Sequence, residues 1–216
     1  MELTHFAFDV EDGVATVLLD RAGEPVNTLG PAIFDDFIAV IDRIETDPSL
    51  KAVVFGSTKK GNFLAGADLR FFETLTDPDE AAEAIRELHA LFARIEALHT
   101  VHAKPVVMAI DGACLGGGLE FALTGSMRIA ADGKKTQLGQ PEVQLGVLPA
   151  GGGTQRLPRL IGIAAALDMI LTGRSARPYK AHKIGLVDEL VPVESLYDIA
   201  TMRAVEALGH LGESDG

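Results

Sequence analysis

Two glutamates in apolar, glycine-rich surroundings are the residues of this chain best suited to chemistry. Both lie between Lys104 and Arg156. Glu120 follows Gly116-Gly117-Gly118 and has Leu119, Phe121, Ala122 and Leu123 as neighbours. A carboxylate in such a segment needs a partner or a raised pKa; a favourable contact with a helix N-terminus is the plainer reading. Glu142 ends the run Gly139-Gln140-Pro141-Glu142. Pro-Glu is ordinary in the first turn of a helix, but here glycines rather than surface charges bracket it. Two carboxylates near one turn can supply an acid and a base. The apolar run Pro105 to Ile110, ending in a glycine turn and a helix, can aim backbone N–H groups at an anion.

Other candidates carry plainer readings. Gly116–Gly118 is not followed by Gly-Lys-Ser/Thr and lacks dinucleotide-fingerprint spacing, so a tight strand-to-helix turn is its structural alternative. Gly151-Gly152-Gly153-Thr154 reads as a packed helix entry with Thr154 near the N-cap. Ala65-Gly66-Ala67-Asp68 is small enough for a ligand to approach the backbone, or is a turn in which Asp68 caps the next helix. His99 and His102 have no evident third metal ligand. Cys114 has no nearby histidine to activate it and reads as a packing residue.

The surroundings bound what this chemistry can serve. The 216 residues suggest one domain, 1–216, and 47% hydrophobic with 23% charged residues is ordinary for a globular protein. A net charge of −12 disfavours nucleic acid and anionic membranes as partners. A single cysteine fits a reducing compartment. The first residues, MELTHFAFDVEDG, resemble neither a signal nor a transit peptide, and no apolar run approaches the roughly 20 residues that span a bilayer. A cytoplasmic location is the expectation.

The elements that must position the glutamates follow from pattern. Runs 4–10 and 14–20 flank Asp12-Gly13 and predict a hairpin. Pro31 opens a helix whose apolar positions recur from Ile33 to Ile44. A strand is predicted from Ala52 to Phe55, a polar loop from Gly56 to Asn62, and a short helix after Leu69. A long helix runs from Pro78 to about His99 with an apolar stripe. Further strands are predicted at Pro105–Ile110, 127–131 and Leu186–Leu190. Helices are predicted at 118–125, around Glu142, across 152–172, at Tyr179–Lys183 and from Glu194 to Leu208. Strands alternate with helices after the hairpin, which argues α/β with mostly parallel strands. No sequence repeat of fixed period is visible.

These stretches together resemble the crotonase (enoyl-CoA hydratase/isomerase) superfamily, over nearly the whole chain. The motifs are FLAGADL (Phe63–Leu69), KPVVMAIDGACLGGGLEFAL (Lys104–Leu123), LGQPEVQLGVLPAGGGTQRLPRLIG (Leu138–Gly162) and GLVDELVP (Gly185–Pro192). The wording of the last three is most similar to the N-terminal hydratase region of multifunctional fatty-acid oxidation α subunits. The resemblance implies a spiral of ββα units and an acyl-CoA thioester substrate. It implies no separate cofactor, coenzyme A being part of the substrate. It implies an oxyanion hole from the backbone N–H groups of Ala67 and Gly117, and Glu120 and Glu142 as acid and base. Substrate contacts are expected along Val26, Lys60, Ala65, Gly66, Asp68 and Gly116, with Lys59 and Lys60 facing the CoA phosphates or serving as ordinary surface charges. The helix from Pro78 to His99 and Phe71-Phe72 are expected to wall an acyl tunnel. The implied reaction is hydration of 2-trans-enoyl-CoA in β-oxidation; the alternatives are a Δ3,Δ2-enoyl-CoA isomerase, or a non-catalytic CoA-binding fragment of a larger multifunctional protein. Family members carry further C-terminal helices, which cover the CoA site and build trimers. The expectation is thus a shortened C-terminal helical part, with a homotrimer or assembly with other β-oxidation subunits as the partner state.

Overall fold

The computed structural model describes residues 3–213. Strands β1 (Phe6–Glu11) and β2 (Val14–Leu19) form the antiparallel hairpin. Asp12 and Gly13 turn it with φ of 49° and 80°, the positive values that a two-residue I′ turn requires. Helix α1 (Pro31–Thr46) begins on its proline and buries Ile33, Phe37, Val40, Ile41 and Ile44.

The chain then repeats one pattern: a strand in a large sheet, a short strand in a small sheet, then helix. β3 (Ala52–Ser57) and β4 (Asn62–Leu64) lead to α2 (Leu69–Thr74) and α3 (Pro78–Thr100). β5 (Val106–Ile110) and β6 (Ala113–Leu115) lead to α4 (Gly117–Ala122). β7 (Met127–Ala131) and β8 (Gln137–Gly139) lead to a 3₁₀ turn, Glu142–Leu145, and to α5 (Gly153–Ile161) and α6 (Ile163–Thr172). Helix α7 (Pro178–Lys183), β9 (Glu189–Val191) and α8 (Leu196–Glu213) follow. The large sheet has the order β1-β2-β3-β5-β7-β9 and the small one β4-β6-β8. Among the described residues the strands after the hairpin pair in parallel, with one antiparallel bridge from Leu138 of β8 to Ala176. This is a spiral of ββα units, and each turn of it delivers one short strand to the small sheet.

Two departures from the sequence reading concern short strands. β4, β6 and β8 have three residues each, too few to show an alternation. Asn62 therefore ends no loop but starts a strand, and the last large-sheet strand lies at Glu189–Val191 rather than Leu186–Leu190. Leu186 and Val187 are buried, so hydrophobicity alone marks the wrong start.

The spiral also packs α4 into an aromatic cluster. Phe121 sits among Phe37, Phe55, Phe63 and Phe92, with ring centroids 5.2 to 6.1 Å away. Aromatic pairs at such distances add about 0.5–1.5 kcal/mol each beyond area burial. Helix α8 covers the other face of the large sheet, with Leu196, Ala200 and Ala204 against β3, β5 and β7. Its Tyr197 hydroxyl donates to the Ser57 carbonyl (2.6 Å) and accepts from the Ser57 N–H (3.0 Å).

Candidate active site

Glu120 stands on α4, beside the locked Phe121, and is only 3% exposed. Its Oε1 accepts the backbone N–H of Gly153 at 2.7 Å. Burial pushes its carboxyl above the usual carboxylate range, opposed by the N–H groups of Gly153 and Gly151 and by the charges of His89 and Arg156. Glu142 stands at the start of the 3₁₀ turn and is half-buried. Burial raises its pKa to about 7; its own backbone hydrogen bond opposes the shift and the Glu120 charge adds to it. Gln140 is fully buried. With its amide nitrogen turned to Glu142, it donates at 2.8 Å to Oε1 and 3.1 Å to Oε2.

Both carboxylates reach the same glycine turn. A Cβ built on Gly116 would lie 3.1 Å from Glu142 Oε1 and 3.7 Å from the Gly66 Cα. One built on Gly117 would lie 3.9 Å from Glu120 Oε2. Gly116 has φ of 54° and ψ of −129°, a region open essentially to glycine. The turn thus bends α4 away from β6 while leaving room for the Glu142 carboxylate.

The segment Ala65–Asp68 comes in from the previous spiral turn. Leu29 pairs with it in parallel: its N–H donates to the Gly66 carbonyl (2.8 Å) and its carbonyl accepts from the Asp68 N–H (2.6 Å). Ladder groups alternate in direction along a chain, so the Ala67 N–H faces away from Leu29. Among the described residues, neither the Ala67 nor the Gly117 N–H has a protein acceptor. An apolar cavity of about 320 Å³ opens on Ala67, lined among others by Leu29, Phe34, Phe71, Ile85 and Leu88. Neither glutamate lines it. Phe71 and α3 therefore wall this cavity; the Phe72 side chain lies outside the described residues.

Not every candidate gathers here. The Asp68 carboxylate is held by Arg70 and by Arg21 (2.5 Å) and accepts the Arg70 N–H, and these partners keep its pKa near about 2. It caps α2 and is an internal ion-pair member rather than a free ligand contact. Lys59 pairs with Asp20 at 2.5 Å, while Lys60 and Val26 are exposed. The Cys114 thiol is buried, is pushed up in pKa by that burial, and faces the Gly118 carbonyl. The His99 ring meets the Thr124 carbonyl.

Two features escaped sequence reasoning. Gly151–Gly153 packs, as expected, but also supplies the N–H that holds Glu120, which corrects the reading of that cluster as packing alone. Gln140 had a legible signal: a polar residue beside Pro-Glu inside an otherwise buried stretch. An arrangement of two unpaired N–H groups beside two raised-pKa carboxylates can polarise a carbonyl and move protons at the neighbouring carbons.

Comparison with known proteins gives this arrangement a family. The sequence model described as Enoyl-CoA hydratase/isomerase matches residues 9–211, and the chain belongs to that family. It is 47% identical over 205 residues to a Fatty acid oxidation complex subunit alpha from Shewanella amazonensis, covering 95% of this chain and 28% of that protein. A protein of the same name from Idiomarina loihiensis is 46% identical over 91% of this chain and 27% of its own length. The chain thus spans little more than a quarter of these relatives. Among solved structures, an enoyl-CoA hydratase from Bacillus anthracis superposes with a TM-score of 0.86 at 31% identity, over 94% of this chain and 76% of that one. A structure from Geobacillus kaustophilus gives 0.88 at 32%, over 96% and 76%. No helix among the described residues is long and apolar enough to cross a membrane.

Proposed function

We propose that this chain hydrates 2-trans-enoyl-CoA thioesters to 3-hydroxyacyl-CoA in fatty-acid β-oxidation, in the cytoplasm, with no cofactor beyond the CoA of the substrate. The observation that carries the reading is the meeting of Glu120 and Glu142 at one glycine turn, beside the unpaired N–H groups of Gly117 and Ala67. The thioester oxygen accepts from those two N–H groups. The acyl chain lies in the cavity at Ala67, along Phe71 and α3. Glu120, as carboxylate, takes a proton from water while the water oxygen bonds to the β-carbon. The π pair moves toward the thioester oxygen, and the protonated Glu142 gives its proton to the α-carbon. One water is consumed, and the proton lost by Glu142 is balanced by the one gained by Glu120. A pKa near about 7 keeps a large share of Glu142 protonated at neutral pH, as an acid for carbon requires. Two donors aimed at the enolate-like oxygen supply the electrostatic part; losing one typically lowers the rate about 10²–10³-fold.

The names of the relatives, subunits of a fatty acid oxidation complex, support assembly with other β-oxidation subunits. The test of the reaction is direct. The chain is incubated with a 2-enoyl-CoA, and loss of the conjugated thioester absorbance is followed together with appearance of the 3-hydroxyacyl product. Formation of a conjugated product from a 3-enoyl-CoA, with no hydration, identifies an isomerase instead. Calorimetric acyl-CoA binding with both assays silent identifies a non-catalytic CoA-binding piece.

A further inference from the structure

The loop Arg21–Gly30, which supplies Leu29 and Arg21 to the frame described above, also holds a buried and heavily hydrogen-bonded side chain. Asn27 is 0% exposed. Its amide nitrogen donates to the Ser57 Oγ (2.9 Å) and faces the carbonyls of Leu19 (3.1 Å) and Phe63 (3.2 Å). Its Oδ1 accepts the Arg21 N–H at 2.8 Å. Its own N–H donates to Asn62 Oδ1 at 2.6 Å, and its carbonyl accepts the Ala65 N–H at 2.9 Å. One residue therefore ties the ends of β2 and β3, strand β4 and the segment that follows β4.

Two residues on, Leu29 completes the strap. Its backbone brackets Ala67 through Gly66 and Asp68, and its side chain would lie 2.8 Å from a Cβ on Gly117. Leu29 thus touches both N–H-bearing segments, and Asn27 fixes where Leu29 sits. Arg21 adds a second tie, from its guanidinium to Thr28 and Asp68. Buried polar groups are ordinarily hydrogen-bonded, and the partners of Asn27 belong to the strands and loop that frame the Ala65–Asp68 segment.

We infer that Asn27 is a positioning residue for the oxyanion hole: through Leu29 and Ala65 it sets the direction of the Ala67 N–H relative to that of Gly117. The inference rests on the reading of those two N–H groups as thioester donors. Asn27 touches no substrate; it acts through backbone. Misdirecting a donor by about 1 Å lowers turnover about 10²-fold where positioning governs the rate.

The probe is a cinnamoyl-type acyl-CoA, whose conjugated thioester shifts its absorbance to the red when donors polarise the carbonyl. The intact chain is expected to shift the bound probe. Asn27→Ala is expected to reduce that shift and to lower kcat for hydration about 10–100-fold, with KM changed far less. Asn62→Ala removes the acceptor of the Asn27 N–H and is expected to act the same way. Asn62→Asp keeps that acceptor and is expected to restore both readouts. The Asn62 pair decides the matter should Asn27→Ala fold too poorly to assay. A full red shift in Asn27→Ala, or equal loss in both Asn62 variants, overturns the role given to Asn27. No red shift in the intact chain overturns the oxyanion reading itself, so the two failures are told apart.

Discussion

Gly153 donates its backbone N–H to Glu120 Oε1 at 2.7 Å, across 33 residues of sequence. The loop that does so is itself braced from α3. Arg156 pairs with Glu96 at 3.0 Å and donates to the Gly151 carbonyl at 3.2 Å, while the His89 ring meets the Ala150 carbonyl. The helix that walls the acyl cavity thus also steadies the loop that orients Glu120. A Cβ on Gly151 would come 2.7 Å from Glu120 Oε2. Gly151→Ala should therefore turn the carboxylate without unfolding the chain. The expected outcome is a kcat for hydration lowered about 10–100-fold with acyl-CoA affinity nearly unchanged, read by steady-state kinetics and calorimetry.

Glu142 makes stability depend on pH in a defined direction. Its carboxyl has a pKa of about 7 in the fold against an ordinary value of 4.5, so between these values the folded chain binds more protons than the unfolded one. Stability then falls as pH rises through that window. Glu142→Gln removes the burial of a charge. At pH 8 the variant should be more stable by on the order of 1 kcal/mol, a figure reduced for partial solvent screening, or a few degrees in Tm. The gain should vanish below about pH 4.5, as thermal melts at both pH values would reveal.

A glycine inside a helix is ordinarily worth replacing. Gly118→Ala would gain about 0.5–1 kcal/mol from helix propensity. Here the new Cβ would fall 2.0 Å from the Leu64 carbonyl oxygen of β4, a backbone atom that cannot step aside alone. Overpacking of that kind typically destabilises by about 1–3 kcal/mol, so the clash wins. Chemical denaturation should place the variant below the parent in midpoint. A midpoint equal to or above the parent would mean that α4 and β4 are not in such close contact.

The cavity makes a prediction about chain length. Ile85 is half-buried on its wall. Ile85→Trp should fill it, raising KM for long enoyl-CoA substrates about tenfold or more while leaving crotonyl-CoA kinetics close to those of the parent. Equal effects on both substrates would show that the acyl chain runs elsewhere.

Much of this was legible in the sequence, and the rest was hidden for physical reasons. The hairpin, α1 and α3 carry periodic apolar stripes and turn or proline signals, so their existence could be read directly. Glu120 and Glu142 drew notice because charge is out of place among apolar neighbours. The small sheet was hidden because β4, β6 and β8 are three residues long. Its repeat is one of topology, with strands sharing a course but no residue pattern. Long-range partnerships were also out of reach. Nothing local in Gly151–Gly153 says that its N–H meets Glu120, and nothing in Pro25-Val26-Asn27 says that the asparagine is buried. The same limit hid the partners of Asp68 and Lys59, since Arg21, Arg70 and Asp20 are brought to them only by the fold.

The most direct test of the central claim is the hydration rate of Glu142→Gln against the parent chain, with a 2-enoyl-CoA as substrate and acyl-CoA binding measured alongside. Removing a positioned acid should lower the rate at least about 10²-fold while the affinity for a saturated acyl-CoA holds. An unchanged rate would contradict the account, since no proton for the α-carbon would then come from Glu142.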